Sequence, residues 1–144
     1  MRQDPEAYIP HRASMSLLDK VLILEDEQAS AEVVITKDSS FYKVSQGVPA
    51  WVGLEYMGQT AALIGGRALQ EGRVKPHVGM LLGTRKYSAG QPYFRPGQRL
   101  HIKVKQAASV GEELANFTCE IIDAGNDTVI ANSRLSVYRR FTDA

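Results

Sequence analysis

Gly47-Val-Pro-Ala-Trp-Val-Gly-Leu-Glu-Tyr-Met-Gly-Gln59, continued by Ala61-Ala-Leu-Ile-Gly65, is the stretch on which the fold turns. Pro49 suits a helix start, where its missing N–H costs nothing, and the apolar run behind it predicts one long helix. Gly53, Gly58, Gly65 and Gly66 are poor helix formers, so their presence predicts close packing against a sheet or another subunit. One carboxylate, Glu55, interrupts the run. Burying it is costly unless it is neutralised or hydrogen-bonded, and a carboxyl group out of water holds its proton to higher pH, as a catalytic acid must. Gln59 follows one turn later, at i+4, where its amide can orient that carboxyl group. The alternative is a solvent-facing acid at the positive end of the helix macrodipole.

Working outward, residues 17–24 read as a strand and 29–36 as its hairpin partner across Glu25-Asp-Glu27. Behind the helix, a polar connection over 70–77 leads to a strand over 78–88. In Arg99-Leu-His-Ile-Lys-Val-Lys105, Leu100, Ile102 and Val104 face one way and the charged residues the other, the period of a half-buried strand. Residues 114–123 repeat the pattern with Ala115, Phe117, Cys119 and Ile121 inward. Gly125-Asn-Asp127 makes a turn, and 128–140 returns with Val129, Ala131, Leu135 and Val137 on one face. Two strands, a buried helix and then antiparallel strands predict an α+β domain whose antiparallel sheet wraps one central helix. The sheet's open edge beside the helix predicts a dimer.

The 144 residues amount to a single domain, 1–144, with 44% hydrophobic and 23% charged residues. A formal net charge of +1 gives no signal for nucleic acid or membrane. The lone Cys119 excludes an intrachain disulfide, fits a reducing cytoplasm, and alternates with core residues as a packed thiol. The first residues hold charges and no apolar segment, so no secretion signal is expected, and no run reaches the roughly 20 apolar residues of a membrane span. No metal-ligand spacing, phosphate loop or dinucleotide fingerprint occurs.

Four stretches carry a family resemblance: Ile9-Pro-His-Arg12 with Leu17-Leu-Asp-Lys-Val21; Pro49 six residues ahead of Glu55; Glu55-Tyr-Met-Gly-Gln59; and Gly83-Thr-Arg-Lys-Tyr87 with Phe94-Arg-Pro-Gly97 and Leu100. In this order they resemble the hot-dog fold 3-hydroxyacyl-carrier-protein dehydratases of fatty-acid synthesis. Val48-Pro-Ala-Trp-Val-Gly-Leu-Glu55 looks still more like the divergent dehydratase-like branch found with aryl-polyene and related polyketide-type pathways. The resemblance implies a single hot-dog domain and a homodimer or heterodimer with a second hot-dog dehydratase. It implies that Glu55 handles the departing 3-hydroxyl with Gln59 beside it, and that backbone N–H groups around Ala50 and Trp51 polarise the thioester carbonyl. A helix start offers such donors. Trp51 replaces a smaller family residue, so its indole is expected to floor or narrow the acyl tunnel. No cofactor is implied beyond the phosphopantetheine arm that arrives with an acyl carrier protein.

The family's Gly-His-Phe-Pro, whose histidine removes the proton beside the thioester, is absent. Phe41-Tyr-Lys-Val-Ser-Gln-Gly-Val-Pro49 is about four residues shorter and has no histidine, and losing a general base costs about 10² to 10⁴ in rate. His11 is the first substitute, though the same Pro-His-Arg accompanies the usual base in the family. His77 reads as a loop residue and His101 as a solvated strand residue. Arg85 and Lys86, with Arg95, Arg99, Arg139 and Arg140, are candidates for a basic rim facing a carrier protein or its phosphate; scattered solvated charges are the alternative. Three functions follow: dehydration of 3-hydroxyacyl thioesters to 2-enoyl thioesters, thioester hydrolysis with Glu55 activating water, or a non-catalytic subunit of a heterodimeric dehydratase.

Overall fold

The computed structural model describes residues 16–72, 77–110 and 114–141. They form β1 (Lys20–Leu24), β2 (Gln28–Val34), β3 (Val48–Pro49), a 3₁₀ turn (Ala50–Val52), α1 (Gly53–Gln70), β4 (His77–Ala89), β5 (Tyr93–Phe94), β6 (Arg99–Val110), β7 (Leu114–Asp123) and β8 (Thr128–Phe141). Six strands make one antiparallel sheet in the order β1-β2-β6-β7-β8-β4, and β3 pairs with β5 as a small clasp. The sheet wraps α1, the hot-dog arrangement implied by the resemblance.

The alternation in the sequence sets which side chains meet the helix. Ala29, Ala31 and Val33 of β2 stand opposite Val104, Ile102 and Leu100 of β6, and all six are buried. Cys119 and Ile121 continue these rows on β7. From the helix side, every residue over 56–65 is buried, as expected of a helix that is apolar all round. Gly53 is the close approach that the helix glycines predicted: a Cβ there would lie 2.3 Å from the Tyr87 hydroxyl and 3.0 Å from Ile121 Cδ1. At Gly65 no described residue of the chain lies within 4 Å of such a Cβ, so its close packing is not against this sheet.

The strand over 17–24 begins later than expected, at Lys20, because the Leu17 N–H donates at 2.8 Å to the Gln59 side chain instead of to a neighbouring strand. β6 runs past Lys105 to Val110 through an irregularity between Gln106 and Ser109. The Gly125-Asn-Asp127 turn is present: Asp127 has φ 58°, and Asp123 Oδ1 accepts the Gly125 N–H at 2.9 Å.

Candidate active site

The helix start is built by short-range constraints that meet at Pro49. Gly47, at φ 114°, presses against β5 so closely that a Cβ would fall 2.1 Å from the Phe94 carbonyl oxygen. Only glycine fits there. The preceding loop is closed by reciprocal backbone bonds between Lys43 and Gly47. Pro49 then directs the chain into the 3₁₀ turn, whose first residue is held at both ends: the Ala50 N–H donates to the Pro92 carbonyl at 2.9 Å, and the Ala50 carbonyl accepts the Tyr87 hydroxyl at 2.5 Å. Burial pushes the Tyr87 hydroxyl up to about 12, so it is a neutral donor at physiological pH.

Of the two backbone donors expected to face a thioester, Ala50 thus has its N–H engaged, while among the described residues no loop or turn carbonyl accepts that of Trp51. Trp51 stands 56% exposed, edge-on to Phe41 with ring centroids 5.4 Å apart. Phe41 is itself half-exposed and has φ 67°, a conformation that costs a bulky residue backbone energy. The loop ahead of Pro49, which contains no histidine, therefore displays an aromatic pair at the helix start.

Glu55 follows one turn after Trp51 and is exposed in the single chain. In the single chain the carboxylate faces solvent at the helix start because Gly53, on the same turn, is the position turned toward Tyr87 and Ile121, and Glu55, two residues on, lies on the opposite side of the helix. Among the described residues no hydrogen bond or ion pair reaches the Glu55 carboxylate. Gln59 does not orient it. The Gln59 side chain is buried and its Oε1 accepts the Leu17 N–H, so the amide ties the entry of β1 to the helix.

Lys86 lies on β4 and is exposed, with its side chain on the sheet face opposite the helix. Arg85 sits in β4 at a register shift between Thr84 and Lys86, and its side chain is outside the described set. His11 also lies outside the described residues. Arg99, with its side chain 57% exposed, places its Nε 3.5 Å from Glu32. His101, read as solvated, instead places Nε2 3.1 Å from the same carboxylate, which Lys20 Nζ meets at 2.7 Å. This Glu32 cluster was not anticipated, since its four members come from three strands. Only the alternation, which puts Glu32 and His101 on outward positions, hinted at it. Cys119 is a core thiol, pushed up to about 12 by burial that a Ser133 hydrogen bond only partly offsets. Among the described residues no group of His, Cys, Asp and Glu is placed to hold a metal ion, and no helix is long and apolar enough to cross a membrane.

A sheet wrapped round one long helix defines the hot-dog fold. Comparison with known proteins narrows this. The family model of the ApeP-like proteins, described as ApeP dehydratase, matches residues 3–143, and the chain belongs to that family. A solved structure described as the dehydratase heterocomplex ApeI:P from Xenorhabdus doucetiae is 27% identical, with a TM-score of 0.83, covering 94% of this chain and 90% of that one. Two more distant structures share the fold. The Escherichia coli PaaI protein of phenylacetic acid degradation is 12% identical at TM-score 0.61, with coverage of 83% and 77%. Zebrafish thioesterase superfamily member 2 is 13% identical at 0.63, with coverage of 92% and 88%. No curated protein sequence matches significantly.

Proposed function

We propose that this chain is one subunit of a heterodimeric dehydratase that converts 3-hydroxyacyl thioesters of an acyl carrier protein to 2-enoyl thioesters in polyene-type or fatty-acid biosynthesis. The observation that carries the reading is the exposed Glu55, without a partner among the described residues, at a helix start beside a loop without histidine, in a chain similar to a subunit of a dehydratase heterocomplex. A second hot-dog chain adding its sheet along the open edge of β4 would cover the helix start. The partner's histidine would then take the proton from C2 while Glu55 gives a proton to the departing 3-hydroxyl; the C2–H and C3–O bonds break, C2=C3 forms and water leaves. The Trp51 N–H faces the developing negative charge on the thioester oxygen. Removing water from around Glu55 is the condition under which a carboxylic acid holds the proton it must donate. In the opposite site of such a dimer this chain supplies no histidine, so one site of two is complete.

The test mixes this protein with a histidine-bearing hot-dog partner whose own helix acid has been mutated. Dehydration of a 3-hydroxyacyl carrier protein, read by mass, is expected only in the mixture. Full dehydration by this chain alone, or release of free acid, overturns the reading.

A further inference from the structure

The sheet carries a groove on the face turned away from α1. Its side chains stand in cross-strand rows, and one row runs from Lys105 on β6 through Thr118 on β7 and Arg134 on β8 to Lys86 on β4. Arg134 and Lys86 are direct partners, like charges where a sheet normally places opposite ones. At a strand spacing of about 4.8 Å, the row sets three cations within about 15 Å. A fourth cation, Lys103, stands one row over between Ser30 and Glu120. These residues line a groove of ≈ 760 Å³, the size of a small-molecule site. Among the described residues Glu120 is the one acid in its lining. Among the described residues none of the four cations has an ion-pair partner.

A second observation points to a ligand independently of the charge. Ser30 lines the groove and is only 5% exposed, yet among the described residues its hydroxyl makes no hydrogen bond. Buried hydroxyls are normally satisfied. A small anion can reach a hydroxyl at that depth, whereas the surface of a folded protein cannot.

We propose that this groove binds a small polyanion carrying two or more phosphate groups, laid across the strands with Lys105, Arg134 and Lys86 on its charges and the Ser30 hydroxyl donating to one of its oxygens. The ligand relieves the repulsion between Arg134 and Lys86 and satisfies Ser30 together. The site is separate from the thioester chemistry, because the sheet itself stands between the groove and the helix.

Calorimetric titration of the whole chain with inorganic tripolyphosphate tests this, with orthophosphate and polyglutamate as parallel arms. Saturable one-to-one binding of tripolyphosphate is expected, weakened at least about tenfold in the K105Q/R134Q double variant, where charge-assisted bonds are lost. Ser30→Ala should weaken it by about threefold with an unchanged melting temperature. Absence of saturation at millimolar tripolyphosphate, or equal affinity in the double variant, overturns the proposal. So does tighter binding of polyglutamate that is indifferent to Ser30→Ala, which would mark a surface for an acidic protein.

Discussion

Glu32 and Glu55 are acids on the same scaffold with opposite surroundings. Glu32, on the outward face of β2, is nearly closed off from water and meets Lys20, Arg99 and His101 within 3.5 Å. Glu55, on the first turn of α1, is exposed, and no described residue pairs with it. The difference separates structure from function. A buried charge met by Lys20, Arg99 and the His101 ring has its needs met inside the chain and stitches β1, β2 and β6 together. An acid left bare beside an exposed aromatic pair has its needs met only by something that arrives, which in the proposed dehydratase is the partner subunit and the substrate.

The largest effect that can break this contrast is catalytic. Glu55→Gln in the complex with a histidine-bearing partner should lower dehydration by about 10² to 10⁴, the worth of a positioned acid. Its stability should fall by no more than about 1 kcal/mol, because among the described residues the exposed carboxylate has only its interaction with the helix start to lose. Steady-state rates and a thermal melt read both outcomes. Activity within about threefold of wild type would make Glu55 a mere helix-start charge, worth about 0.3–1 kcal/mol through the macrodipole.

Next in size is the loop that displays the helix start. Gly47→Ala adds a methyl group that would sit 2.1 Å from a backbone oxygen at φ 114°, and strain of this kind with overpacking costs about 3 kcal/mol or more. Denaturant unfolding should show that loss. A variant as stable as wild type would mean that the loop yields freely and that the placement of Phe41 and Trp51 is not imposed by Gly47.

Glu32→Gln comes third. It keeps the shape but leaves Lys20, Arg99 and His101 without their shared anion, and those three are partly solvated, so the expected loss is about 2 kcal/mol in denaturant unfolding. Activity of the heterodimer should be unaffected. A catalytic defect with normal stability would reverse the roles assigned to the two acids.

The sequence made one half of this contrast legible and hid the other. Leu100, Ile102 and Val104 alternating with charges announced β6 and its inward face, and Pro49 ahead of the apolar run announced α1, because both signals are periodic and local. The site was marked by Glu55, but its exposure was left open, since it depends on which side of the first helical turn the sheet packs against. Gln59 looked like a partner for Glu55 by spacing alone. The structure points its amide instead at Leu17, 42 residues away, a contact that no helical periodicity encodes. His101 looked solvated for the same reason: the acid that binds it, Glu32, lies 69 residues earlier on a neighbouring strand.

The smallest effect is a pH dependence that belongs to Glu32. Burial pushes its carboxyl group upward, but hydrogen bonds from Lys20 and His101, with their charges, outweigh burial and hold it below the ordinary value of 4.5. Between that depressed value and the ordinary value of the unfolded chain, the unfolded state binds more protons than the native state, so stability rises with pH across the window. The contribution is fully present above the unfolded value and is lost as pH falls through the folded one. Wild type and Glu32→Gln should therefore differ by a constant amount above about pH 5 and converge in more acidic solution as the native Glu32 takes up its proton. Parallel denaturant titrations from neutral pH downward measure that difference directly, with contributions from the remaining carboxylates common to both proteins. A gap that stays constant into acid would show that Glu32 contributes through shape and hydrogen bonding alone. A gap that widens as pH falls would mean that the cluster favours the protonated acid, and the account of Glu32 as an anion held by Lys20, Arg99 and His101 would be wrong.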